Sequence, residues 1–344
     1  MYEMIFGVGT AMIVAFFLTG LPELFPSVVP IVGKKLALIV LWWVLGRFSF
    51  WFMDYFGVLF TAIINVGLMA YISYLAAIPA FKDRNKKHVS LAYSMVSIVI
   101  IQALFFASEL KILEINSYKI LLLSLILVLV LIFLALRRVS MESINELLEQ
   151  EKIDDTFLAK SFRYNLVIFC LLLYGFVEFF FPNNSTLAYI CFACGASVLA
   201  ILNDFILKDN NILFKPFVLY IVTTILLTSI GFFFLGFNYL FELNVTNHFR
   251  HFITTGTFGM VFYVIMIIVS TIHTGREIFT NLYLTIGLML IIISTFIRAF
   301  IPYYFEYSMI LYILSSILWA IPFVIYIKIF FPFLLKPRAD GIKG

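Results

Sequence analysis

The sequence predicts an all-α, polytopic membrane helix bundle of about eleven transmembrane helices. Two observations carry this. The 344-residue chain is 63% hydrophobic and only 12% charged, where a soluble domain carries about 25% charged residues. Apolar runs of roughly 20 residues, each long enough to cross the hydrocarbon core as a helix, recur from end to end. The whole of 1–344 reads as a single membrane domain.

The spans are placed at 4–24, 36–55, 57–81, 90–107, 118–136, 164–181, 187–207, 214–236, 252–272, 278–299 and 308–331. Turn signals separate them: Pro26 and Pro30, Pro79, PNNS (182–185), DNN (209–211) and Thr274-Gly275. The first run is too long for a secretory signal and leads straight into further spans. Cys170, Cys191 and Cys194 all fall inside spans, where a buried thiol is the ordinary expectation. The pair Cys191 and Cys194 shares a helical face but has no basic residue beside it, so packing is the reading.

With this count, alternate loops share a side. One side collects Lys34, Lys35, Lys82, Arg84, Lys86, Lys87, Arg137, Arg138, Lys208, Lys215, Arg276, Lys336, Arg338 and Lys343, and the other little beyond Lys111, Lys119 and Arg250. The basic side is assigned to the cytoplasm, which puts the N-terminus outside and the C-terminus inside. The longest polar stretch, 137–163, is then cytoplasmic. Ile144, Leu147, Leu148, Phe157 and Leu158 recur there at helical spacing among Glu142, Glu146, Glu149 and Glu151, as in an amphipathic connector lying near the membrane surface. Such a segment could dock a partner.

The ninth span is the most informative. Three of the four histidines bracket it: His248 and His251 at the outer end, His273 at the cytoplasmic end. Imidazole is a common ligand of haem iron and of copper, and interfacial histidines bonded to water or headgroups are the alternative. His248 and His251 are three apart and share a helical face. From His251 to His273 a helix rises roughly 33 Å, so the two cannot share one ion. Gly256 and Gly259 let another helix, or the edge of a flat macrocycle, approach this span.

Arg47 and Arg298 lie inside apolar spans, toward the outer half, where a charge is costly. Their forked guanidinium groups suit carboxylates such as haem propionates; a protein carboxylate, Glu3 or Asp54, is the competing partner, and snorkelling to the interface another outcome. Glu178 and Asp204 mark a polar cavity or proton path if they are not simply interfacial. A faint internal echo joins the two arginine regions. Tyr2 precedes Gly7 by five positions as His251 precedes Gly256, Met12 and Met260 follow the glycines, and Arg47 in LGRF (45–48) and Arg298 in IRAF (297–300) lie on the next helices. That is the pattern of a parallel repeat. The chain has no phosphate-binding glycine loop, nucleophile elbow or His-Glu-x-x-His zinc signature, and too few histidines for a haem–copper oxidase core.

These pieces together resemble the NnrS family of membrane proteins, described as containing haem and copper and linked to nitric oxide stress. HFITTGTFGM (251–260) and IHTGRE (272–277) are similar to the family's His-x-x-Thr-x-Gly-x-x-Gly-Met and Gly-His-Thr-Gly-Arg elements. YEMIFGVGTAMIVAFFLTGLPEL (2–24), LWWVLGRF (41–48), LALRRV (134–139) and IRAFIPY (297–303) support it in order and spacing. The resemblance carries family histidines onto His251 and His273, and family arginines onto Arg47, Arg138, Arg276 and Arg298; His248 has no match. Departures are Tyr2-Glu3-Met4 in place of His-Glu-Met, Ile272 in place of Gly, and eleven spans where the family usually has twelve, as in an N-terminally shortened member or a chain whose true start lies upstream. The resemblance implies a bacterial inner-membrane protein binding haem b, with copper as a second candidate, and nitric oxide as its small-molecule partner. No nucleic acid is implied. On that expectation His251 is an outer-face axial ligand, Arg47 and Arg298 hold propionates, and His273 with Arg276 forms a cytoplasmic site. A cofactor-free transporter lined by Glu178, Arg47 and Arg298, and a sensor or partner subunit acting through 137–163, are the competing expectations.

Overall fold

Apolar side chains on helices with no internal backbone vacancies are what a bilayer demands of a chain, and the computed structural model is helical throughout, with no strand among the described residues. It describes residues 1–344 except 85, 87, 183, 208, 209, 280, 340 and 342–344, together with the side chains of 210 and 211. Lys87, Lys208 and Lys343 of the basic set, and Asn183 and Asp209 of the turn signals, therefore lie outside the described residues.

In chain order the α-helices are α1 Gly9–Leu24, α2 Lys34–Trp51, α3 Met53–Phe56, α4 Val58–Lys82, α5 Val89–Glu109, α6 Ser117–Gln150, α7 Ser161–Phe180, α8 Thr186–Ala200, α9 Pro216–Leu240, α10 Thr246–Phe249, α11 Phe258–His273, α12 Leu282–Phe300 and α13 Ser308–Leu334. Wide π-helical segments, Glu3–Val8 and Phe252–Thr257, lead into α1 and α11. Nine helical stretches among the described residues are long and apolar enough to cross a membrane. The last, Leu282–Leu334, is 53 residues long; it turns in Ile301–Tyr307, where Tyr304 leaves the helical region (φ −130°, ψ 50°), and so holds two of the predicted spans. Helix α2, with Lys34, Lys35 and Arg47, is too charged to be among the nine but fills the predicted second span. Every predicted span has its helix, and the chain is a multi-pass membrane protein.

The chain divides into two compact units, residues 1–134 with 175–181, and residues 135–174 with 182–344. In the first, α4 packs along α5 and α2, and α1 lies against α4. The Trp42 indole donates to the Ile64 carbonyl (2.9 Å) and Thr61 Oγ1 to the Ser49 carbonyl (2.9 Å), fastening α2 to α4. In the second, α8 pairs with α9 and α12 with α13, while α11 and its π segment lie against α9, α12 and α13. The approach of α9 is close because Gly231 carries no side chain: a Cβ there would stand 2.7 Å from the Cβ of Phe252. Neither atom can swing aside, so Gly231→Ala is expected to cost about 1–3 kcal/mol of stability. Gly20→Ala, with nothing within 4 Å, is the control, and detergent unfolding of both variants is the measurement.

The connector departs from expectation. Instead of a separate helix along the membrane, residues 137–150 continue α6 without a break, giving one helix of 34 residues and about 51 Å. Ile144, Leu147, Leu148 and Phe157 are buried in protein, and of the predicted apolar face Leu158 is exposed. Asn145 explains why: its amide donates to the Phe157 carbonyl (3.1 Å) and accepts from the Phe157 amide (2.8 Å), pinning the returning strand of chain onto the end of α6.

The internal echo is structural. From Glu3 to Phe252 is 249 residues, and this shift carries the π segment Glu3–Val8 onto Phe252–Thr257 and the end of α1, Leu24, onto the end of α11, His273. In both, an amide bridges five residues back, Gly9 to the Met4 carbonyl and Phe258 to the Ile253 carbonyl. The next pairs also match in extent: α2 with α12, and α4 with α13. Each unit thus contains one copy of a three-helix repeat.

Candidate functional site

A π turn fits one more residue per turn than an α turn does. At the start of such a segment in the second unit two hydroxyls meet one imidazole: Thr254 Oγ1 lies 3.2 Å and Thr255 Oγ1 3.3 Å from His251 Nδ1. Nδ1 is thereby engaged, and Nε2 is the nitrogen left for a ligand. A hydrogen bond on the far nitrogen is how proteins orient a metal-binding imidazole.

His248 belongs to the one-turn helix α10, which runs through Arg250 and His251, both in the right-handed helical region, into the π segment, so the two histidines lie on one helical stretch. The rings meet, with centroids 6.3 Å apart and planes at 68°. His248 Nδ1 is buried with no hydrogen-bond partner, which is costly for a polar atom unless something else binds it. Arg298, on α12, is an electrostatic neighbour of His251. Its own contacts are weak: Nη1 to Ser315 Oγ at 3.4 Å, and the guanidinium carbon 4.7 Å from the Tyr312 ring centre. Among the described residues no carboxylate lies within ion-pair distance of it.

The glycines of this span serve helix packing. A Cβ on Gly256 would meet Thr295 Cγ2 at 3.0 Å, and one on Gly259 would stand 2.5 Å from Trp319 Nε1. That space is filled by protein, so the edge of a macrocycle does not fit at either position. Trp319 stands there because its indole donates to the Thr255 carbonyl (3.1 Å). In the first unit Trp43 does the same for the Gly7 carbonyl (3.0 Å).

Arg47, in the first unit, already has protein partners. Its Nη1 bonds Glu3 Oε1 at 2.8 Å and its Nη2 the side-chain oxygen of Asn65, so the competing reading of a protein carboxylate is the geometry found. Tyr2, at the place of His251, is buried between Phe50, Phe105 and Phe106, and its hydroxyl accepts from Gln102 (3.0 Å). Asp204 is paired with Arg163 and accepts from the Lys160 amide (3.1 Å).

At the other end of α11, His273 and Arg276 stand in a second, separate group. Arg276 donates to the Thr274 carbonyl (3.0 Å) and lies over the Phe333 ring at 4.3 Å; Arg338 donates to the His273 carbonyl (3.1 Å). These contacts tie the turn after α11 to the end of α13 and the segment behind it. Among the described residues no three His, Cys, Asp or Glu side chains are gathered closely enough to hold a metal ion.

The sequence model of one family, described as NnrS protein, matches residues 1–338, nearly the whole chain. The chain belongs to the NnrS family. No curated protein and no solved structure matches it. The NnrS residues that sequence reasoning singled out thus fall into an imidazole–arginine cluster (His248, His251, Arg298), an end clamp (His273, Arg276), and an arginine already neutralised (Arg47). Sequence reasoning missed Thr254 and Thr255 as orienting groups, although they lie three and four positions after His251, a spacing that faces the ring on any helix. It also missed Trp319, Tyr312 and Ser315, which only the folding of α13 against α11 and α12 brings in.

Proposed function

We propose that this NnrS protein is a haem b-binding protein of the bacterial inner membrane that contributes to resistance to nitric oxide, with His251 as an axial ligand. The N-terminus lies outside and the C-terminus in the cytoplasm, following the basic loops. What carries the reading is the imidazole of His251, held at Nδ1 by two hydroxyls so that Nε2 is left for a ligand, with Arg298 as an electrostatic neighbour that has no carboxylate within ion-pair distance among the described residues. A haem suits such a place because the macrocycle brings four of the iron's ligands and the protein need add only one imidazole. Its propionates would meet Arg298, and bound haem would supply iron for coordinating nitric oxide. His273 and Arg276 enter only as the clamp at the other end of the helix.

Copper is a second reading, favoured by one observation: the unpartnered Nδ1 of His248 beside His251. Two imidazoles on one metal at about 2.0–2.1 Å place their ring centres roughly 5–6.5 Å apart, and the observed separation is within that range.

The test is the absorption spectrum and metal content of the full chain purified from haem-replete cells. The expected result is a Soret band that disappears in His251→Ala and persists in His273→Ala. Replacing Thr254 and Thr255 together by valine is expected to weaken haem retention about tenfold. A colourless wild-type protein, or a Soret band unchanged in His251→Ala, overturns the haem reading; copper lost with His248→Ala favours the second.

A further inference from the structure

The repeat allows each arginine to be judged by its counterpart. Arg47 and Arg298 stand on the second helix of their copies, 251 residues apart, and each takes a polar group from the third helix, Asn65 and Ser315, 250 residues apart. Among the described residues Arg47 has a carboxylate partner, Glu3 in the first position of the π segment, and Arg298 has none within ion-pair distance. The residue 249 positions later is Phe252. Its ring is fully buried, stacked on Phe234 and set edge-on to Phe296. The second copy therefore keeps the arginine, the polar flank and the wide turn, and has a phenyl ring where the first has its carboxylate. A guanidinium left half-buried in an apolar helix is costly, and removing the partner of such a charge is costlier than never having placed it.

We propose that Arg298, flanked by Ser315 and Tyr312, is the binding position for a planar carboxylate-type monoanion, which the second copy takes from outside the chain where the first supplies its own as Glu3. Among the described residues the hydrogen bond made by the guanidinium is the 3.4 Å contact of Nη1 with Ser315, which leaves its fork for two parallel hydrogen bonds to such a group. The same chemistry is offered by a haem propionate and by a free small carboxylate or oxyanion of that shape. Only the identification with a propionate rests on the haem reading above; the anion site itself does not.

Acetate is the probe, titrated calorimetrically into the full chain in detergent, prepared both haem-free and haem-loaded. Haem-free wild type is expected to bind one acetate, and Arg298→Gln to weaken it about tenfold or more. Arg298→Lys is expected to fall between, because an ammonium keeps the charge without the fork, and it serves where the glutamine variant fails to give a monodisperse protein. Glu3→Gln is expected to gain a second site, since Arg47 then lacks its internal carboxylate. Equal acetate binding by wild type and both Arg298 variants, no binding to any, or no gain in Glu3→Gln overturns the proposal. Acetate excluded by haem loading assigns the position to a propionate; acetate bound equally in both forms assigns it to a free anion. A wild type that binds acetate through Arg298 yet takes up no haem leaves this inference standing and removes the haem reading.

Discussion

Asp204→Ala is expected to lower the stability of the second unit by about 3–5 kcal/mol, the cost of removing one partner from a buried ion pair. The Asp204 carboxylate is wholly buried, while the Arg163 side chain retains 22% exposure, so the lower end of that range applies. The same carboxylate also accepts from the Lys160 amide (3.1 Å), which the substitution leaves without its acceptor. Asp204→Asn keeps an oxygen for that amide and loses only the charge, and is expected to cost less. Equilibrium unfolding in mixed detergent micelles measures both. A loss under about 1 kcal/mol in Asp204→Ala, the size of an exposed pair, would show that the pair is not closed in the membrane-embedded protein.

Arg47→Met is expected to destabilise the first unit by about 3 kcal/mol, for the same reason. Glu3 keeps 30% exposure and can partly hydrate, but Asn65 loses the guanidinium its oxygen faces. Pairing the change with Glu3→Gln should recover part of the loss, because the uncompensated carboxylate is then gone. A double-mutant cycle gives the coupling directly. Strict additivity would mean that the contact contributes nothing, and would also weaken the comparison between Arg47 and Arg298.

The spans were legible in the sequence because hydrocarbon thickness imposes a length and the backbone has no alternative to the helix. The end of α6 was not, because its apolar stripe has the same period whether lipid or protein covers it; the clamp from Asn145 to Phe157 that decides the matter is a loop contact with no periodic signature. At the site, His251 and Arg298 stood out as rare polar groups in apolar surroundings. The meaning of Gly259 did not, since room for an indole and room for a macrocycle look alike until Trp319 is placed. The kinship of Tyr2 with His251 was faintly visible, five residues before a glycine in each case. Coincident wide turns make it firm.

Those wide turns also fix a compass bearing. A turn holding a surplus residue offsets everything before it by roughly 100° about the helix axis relative to a regular α-helix. Were the segment at 252–257 regular, the imidazole preceding it would face a different neighbour altogether. The heading of His251 about its helix axis is therefore a property of one extra peptide unit, stitched in place where the Trp319 indole meets the Thr255 carbonyl.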